Sequence, residues 1–238
     1  MSEREPIFNV PAVVVAVLGA FVAIHLARSF VPEEVGERLI EVLALIPARL
    51  GSTAAEIAGG QAAQVTQFVT HVFVHGDLTH LIVNSAWFLA FGTPVARRVG
   101  AVRFLAFFLL CGIGGALLYL PFNAAPMVGA SGAISGLMGA AIRFLFLPLS
   151  QGDAEALAGD ARRAPLLSLR ASLGDRRVLI AVAGWTLLNA LVAWGAPVVL
   201  NERNIAWEAH LGGFFTGLLT FGLFDRTPPV HHDTAPAE

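Results

Sequence analysis

The chain has 238 residues, of which 56% are hydrophobic and only 13% charged, and its formal net charge is −2. Soluble domains carry about a quarter charged residues, so this composition, with a mean hydropathy of +0.71, excludes an ordinary soluble domain and points to one compact multi-pass membrane bundle. The lack of a basic excess argues against nucleic acid as a partner, and the single cysteine, Cys111, excludes an internal disulfide.

A spanning helix needs about 20 mostly apolar residues, and six stretches are read as spans. The first runs from Val10 to about Ala27; its long apolar run, with no small-residue cleavage site at the usual place, sets it apart from a cleaved signal. Residues 31–66 are mixed. Within them ERLIEVLALIPARL (37–50) puts Leu39, Val42, Leu43 and Ile46 on one face and Glu37, Arg38 and Glu41 on the other, the pattern of an interfacial helix. The second span starts near Leu78 and ends before Arg97 and Arg98. The third covers Phe104 to Leu120, the fourth Ser131 to about Leu149, the fifth Val178 to Leu200, and the sixth starts near Trp207 and ends at Phe224. The expected architecture is an all-α integral membrane bundle over residues 10–224, between a short tail (1–9) and a disordered tail (225–238). No period of 20–50 residues indicates a repeat fold.

Six spans put both termini on one side. Arg97, Arg98 and Arg103 in the second loop share that side with Arg162, Arg163, Arg170, Arg176 and Arg177 in the fourth, and with Arg4 and Arg226 in the tails. The positive-inside rule makes this side cytoplasmic. Arg28, Arg38, Arg49 and Arg203 remain for the opposite face.

Strongly polar residues inside spans mark function by default. His80 and Asn84 stand four apart in the second span and share a helix face. Ser131 opens the fourth span within GASGAISG (129–136), and His210 lies in the first turn of the sixth. These three spans run in the same direction, so the four side chains belong to helix starts at one outer level. Gly132, Gly136 and Ala140 form a small-residue stripe on the fourth span, and Gly213 with Gly217 forms another on the sixth, on the side of His210. Such stripes let helix backbones approach closely. Close approach would bring the Ser131 hydroxyl within about 2.6–3.2 Å of His210, the reach a general base needs. The free N–H groups at the start of the fourth span, with Asn84 and His80, would supply donors to an oxyanion. Glu208 points elsewhere on its helix, so a serine–histidine dyad is expected rather than a triad.

With these residues in view, the sequence resembles the rhomboid intramembrane serine proteases. GASG, with Gly129 and Gly132 around Ser131, is similar to the family's G-x-S-G motif. AHLGG followed by Gly217 is similar to its A-H-x-x-G-x-x-x-G motif, and HVFVHGDLTHLIVN (71–84) to its histidine-rich start of the second span. The resemblance covers about residues 64–224. It implies Ser131 as nucleophile, His210 as base, and Asn84, His80 and the Ser131 N–H as the oxyanion hole, with a structural part for His75. It implies an endopeptidase of a bacterial cytoplasmic membrane that needs no cofactor. Its partners would be transmembrane protein substrates, cut near their outer end after lateral approach between the second and fifth spans, and the lipid bilayer. Thr66-Gln67 stands where many members carry Trp-Arg, a departure that concerns the first loop. The alternatives are a non-catalytic rhomboid-like binder of transmembrane helices and, in a different class, a small transporter.

The remaining polar residues carry blander readings. Ser135 reads as packing, as does Asn189 with Trp185 and Trp194. Arg143 is expected to snorkel to the interface, and His25 to sit near the outer interface. His71, His75 and His80 have no H-E-x-x-H order and no nearby cysteine, so no metal is expected.

Overall fold

The computed structural model describes residues 10–51, 56–150, 166–194 and 205–226. Among these residues the regular structure is helical, with one isolated antiparallel bridge between Leu45 and Met127. In chain order the helices are α1 (Ala12–Ser29), α2 (Glu33–Leu43), α3 (Gly60–Thr70), α4 (Leu78–Val99), α5 (Ala101–Tyr119), α6 (Ser131–Ser150), α7 (Leu169–Gly174), α8 (Arg176–Trp194) and α9 (Trp207–Thr220). Helices α1, α4 and α5 are long and apolar enough to cross a membrane by length and composition, and Ser131–Leu145 of α6 is a shorter apolar helix. The tail 1–9, Arg162, Arg163, Arg203, the end of the expected fifth span (195–200) and residues 227–238 lie outside the described residues.

The outside of the bundle is apolar, the reverse of a soluble protein. Val15 of α1, Ile82 of α4, Val102 of α5 and Leu187 and Leu191 of α8 are all exposed, a surface that suits lipid. Aromatic packing ties α1, α4 and α5 together: Phe21 lies 5.4 Å from Phe88 between ring centroids, and Phe88 lies 5.3 Å from Phe108. Helix α9 packs most extensively against α6 and α5. The reason is the small-residue stripes. A Cβ placed on Gly213 would meet the Gly132 carbonyl, and one on Gly217 the Gly136 carbonyl, both well inside van der Waals contact. The two helices therefore touch backbone to backbone.

The first loop departs from the sequence expectation. The amphipathic helix ends at Leu43 rather than continuing to Leu50: Leu45 turns out to pair with Met127, and Pro47–Leu50 form a 3-10 turn. Helix α3 lies in a stretch that carried no helical reading. At the centre is Arg49, fully buried, which donates to the carbonyls of Glu41 (2.5 Å), Ala44 (2.8 Å) and Ala58 (2.8 Å) and to Gln67 Oε1 (3.2 Å). Gln67 Oε1 also accepts from the Ile46 N–H at 2.9 Å. Gln67, half of the Thr-Gln departure noted above, is thus one of the residues that hold this loop.

At the other end of the bundle, Arg98 of α4 donates through Nε and Nη2 to Asp225 Oδ2 at 3.0 and 2.8 Å, with both side chains buried. Asp225, assigned by sequence to a tail, is docked. Arg143 does not snorkel. It is 3% exposed and donates to the carbonyls of Leu218 (3.0 Å) and Leu167 (2.8 Å), because the carbonyls near the end of α9 need donors.

The backbone contact makes a direct prediction. Gly217→Val should destabilise the bundle by about 1–3 kcal/mol or more, read as a lower denaturant midpoint in detergent. Gly184→Ala on α8, where a Cβ meets nothing within 4 Å, should leave the midpoint unchanged.

Candidate active site

Three helix starts build the site. Asp77 caps α4, its carboxylate accepting from the His80 N–H at 2.8 Å. This sets the register of α4, so that His80 and Asn84 lie one turn apart on one face, and the Asn84 amide donates to the His80 carbonyl at 2.9 Å. The His80 Nδ1 accepts a long contact (3.4 Å) from the Gly76 N–H, an arrangement that leaves the proton on Nε2. Gly129 comes next, with φ +120°, where side chains other than glycine are strained. Its N–H donates to the His71 carbonyl at 2.9 Å, and an added Cβ would lie 2.7 Å from His80 Nε2. Glycine here lets the imidazole rest against the backbone just ahead of Ser131.

Ser131 is the first residue of α6, and its Oγ lies 2.9 Å from His210 Nε2. That contact is the meeting of fourth and sixth spans expected from the glycine stripes. On its far side the imidazole meets a residue that sequence reading assigned to packing: His210 Nδ1 lies 3.0 Å from Asn189 Oδ1, on α8. The sequence signal for Asn189 is a strongly polar residue within a span. Ser135 donates to the Ser131 carbonyl at 2.7 Å, a bond within α6.

Two cavities meet at this pair. The larger one, about 540 Å³, is the more polar and is lined by Asp77, Thr79, His80, Tyr119, Pro126 and Val128 among others. The smaller one, about 300 Å³, is apolar and lies between Trp87 and Phe91 of α4 and Trp185 and Leu188 of α8. Asn84, Ser131 and His210 line both. The structure therefore brings together all four polar residues singled out from the sequence. Gly132, Gly213 and Gly217 lie in the backbone contact beneath them, and Gly129 at their edge. Among the described residues no group of three or more His, Cys, Asp or Glu side chains is placed to hold a metal ion.

His71 and His75 serve the loop beside the site. His71 Nδ1 bonds the Gln67 carbonyl at 2.8 Å, and the His75 carbonyl accepts from Arg28 at 2.8 Å. The His75 ring lies 5.0 Å from Phe21 and 5.2 Å from His80. Burial first of all lowers both rings from the ordinary histidine value, His71 to about 4 and His75 to about 3.

The apolar helical bundle, with a serine–histidine contact at two helix starts, is that of a membrane-embedded, multi-pass protein. A family model of the rhomboid domain matches residues 62–226, and the chain belongs to the rhomboid family. It is similar to the rhomboid protease GluP of Bacillus subtilis, 37% identical over 84 residues that cover 35% of this chain and 16% of that protein. RHOMBOID-like protein 4 of Arabidopsis thaliana is 34% identical over 148 residues, 62% of this chain and 31% of the relative. The rhomboid protease GlpG of Yersinia pestis is 26% identical over 161 residues, 67% of this chain and 48% of the relative. The chain thus matches less than half the length of each.

Two outcomes follow for the region around Ser131. Gly129→Ala should cost about 1–3 kcal/mol of backbone strain and displace His80, read as a lower thermal midpoint. Acidification should also destabilise the fold. The lowered pKa values mean that the unfolded chain binds protons at His71 and His75 before the folded one does, so stability is full above the ordinary value of 6.5 and falls as pH drops from there towards about 3. A thermal midpoint that stays flat across that window, in the wild type and not in a His71→Asn, His75→Asn variant alone, would contradict it.

Proposed function

We propose that this protein is an intramembrane serine endopeptidase that cuts transmembrane segments of membrane proteins near their outer end. The observation that carries the reading is the 2.9 Å contact between Ser131 Oγ and His210 Nε2. In the reaction His210 Nε2 takes the Ser131 proton as Oγ adds to the scissile carbonyl carbon. The oxyanion accepts from the Ser131 N–H, which α6 leaves unpaired at its start, and from Asn84 Nδ2 and His80 Nε2. As the tetrahedral intermediate collapses, the C–N bond breaks and His210 returns the proton to the leaving amine. Water, activated by the same imidazole, then hydrolyses the acyl ester and restores Ser131.

The two cavities suit this division of labour. Water reaches the pair through the larger, more polar chamber, and the substrate backbone approaches from the apolar side between α4 and α8. The substrate helix must unwind locally, because helical carbonyls are shielded by their own hydrogen bonds. Hydropathy and the arginine distribution support a six-span arrangement with termini and arginine-rich loops cytoplasmic, and the bacterial relatives favour a bacterial inner membrane.

A rhodamine-linked fluorophosphonate tests the reading on the purified full chain in detergent. Wild type should label, Ser131→Ala should not, and His210→Ala should label at least about 100-fold more slowly. Asn84→Ala should slow labelling by about 10²–10³, the usual effect of one oxyanion donor. Equal labelling of wild type and Ser131→Ala would overturn the proposal in favour of a non-catalytic binder of transmembrane helices.

A further inference from the structure

His210 has two ring nitrogens, and a neutral imidazole carries one proton. To accept from Ser131 its Nε2 must be the bare one. Packing does not decide between the two tautomers, because they have the same shape. A hydrogen-bond partner at Nδ1 decides, and that partner is on another helix.

Asn189 Nδ2 donates to the Trp185 carbonyl at 2.9 Å, and Oδ1 lies 3.0 Å from His210 Nδ1. A carbonyl can only accept, so the amide end facing Trp185 must be the NH₂ and the end facing His210 must be the oxygen. That oxygen has no hydrogen to offer, so Nδ1 must carry the proton. The bonds then run one way, from the Ser131 hydroxyl to His210 Nε2, from His210 Nδ1–H to Asn189 Oδ1, and from Asn189 Nδ2 to Trp185 O. The other tautomer would set two lone pairs against each other at Nδ1. Asn189 is 2% exposed, so no solvent would relieve that contact. The Trp185 ring, 6.3 Å from the imidazole and 6.1 Å from Phe214, fills the space beside this chain of bonds.

We infer that Asn189 is a positioning residue that fixes the reactive tautomer and orientation of His210, so that the site works as a serine–histidine–asparagine relay. The inference rests on the protease reading above. It also predicts that the amide oxygen supports the imidazolium formed when Ser131 gives up its proton, since Nδ1–H already points at the negative end of the amide dipole.

The test uses the same fluorophosphonate, titrated against the full chain in detergent to separate the maximal labelling rate from the half-saturating probe concentration. Asn189→Leu keeps the volume and removes the acceptor; Asn189→Asp keeps an acceptor oxygen; Asn189→Ala gives a second acceptor-free variant should the leucine not fold. The leucine and alanine variants should lower the maximal rate at least about tenfold while the half-saturating concentration stays within about twofold. The aspartate variant should label within about threefold of wild type, with thermal midpoints little changed throughout. Acceptor-free variants that label at the wild-type rate would overturn the inference and leave the protease reading intact. So would equal slowing of the leucine, alanine and aspartate variants together with weaker probe binding, the mark of lost packing. A wild type that does not label would remove both.

Discussion

The contact between α6 and α9 governs the rest of the structure. Lipid supplies no hydrophobic drive for helices to associate, so membrane helices depend on close packing. Here two glycines of α9 face two carbonyls of α6, one turn apart, with no side chain between. Two such points fix both the separation and the register of the helices. Ser131 precedes Gly132, and His210 lies one turn before Gly213, so the contact carries directly into the serine–histidine pair. A slip of one turn, about 5.4 Å, would bring side chains into the glycine notches and separate the pair. The precision of the site is thus borrowed from the backbone.

A second constraint comes from the first loop. Its centre is not a patch of apolar side chains but one guanidinium, Arg49, surrounded by carbonyls. Two of these, from Glu41 and Ala44, belong to the end of α2, where unpaired carbonyls carry partial negative charge. The loop so held reaches the site through two backbone links. Leu45 pairs with Met127, and the His71 carbonyl accepts from Gly129. Together they fix residues 127–129, the segment that leads into Ser131 and lines the larger cavity. An arginine far from the reacting pair therefore shapes the space above it.

What could be read in the sequence follows the reach of each physical signal. Hydropathy is a coarse property of about 20 residues, and it located the starts of α1, α4, α5, α6, α8 and α9 within about three residues. Ser131, His210, His80 and Asn84 were legible because polar groups at helix starts are costly in lipid and because glycine stripes announce which helices touch. The first loop was not legible. Arg49 and Gln67 hold it through backbone capture, which leaves no periodic pattern, and α3 is short and mixed in polarity. Asn189 was visible as a polar residue in a span, but its partner depends on the rotation of α8 about its axis, which apolar residues all round the helix do not reveal. Arg143 failed for a related reason: a long cation near a helix end can reach the interface or the carbonyls of a neighbour, and only the position of α9 shows that the carbonyls lie closer.

For the proposed peptidase, the placement of the pair between two unlike cavities answers a conflict built into peptide hydrolysis within a membrane. Water is a reactant, yet an unwound peptide exposed to water has no reason to leave the aqueous phase. An unwound peptide in lipid, in turn, loses its hydrogen bonds at several kcal/mol per group. A site open on one side only would meet one requirement and fail the other. Here Asn84, Ser131 and His210, with Val83 and Ile205, form the common wall of a more polar chamber and an apolar one. In that proposal a segment arriving from the apolar side would meet unpaired N–H groups at the start of α6 and the amide of Asn84 where its own backbone bonds are given up, and the more polar chamber would need to deliver only the one water that the second half-reaction consumes. On this reasoning the boundary between the chambers, rather than either chamber alone, would be the functional unit, with Asn84, Ser131 and His210 as its polar residues.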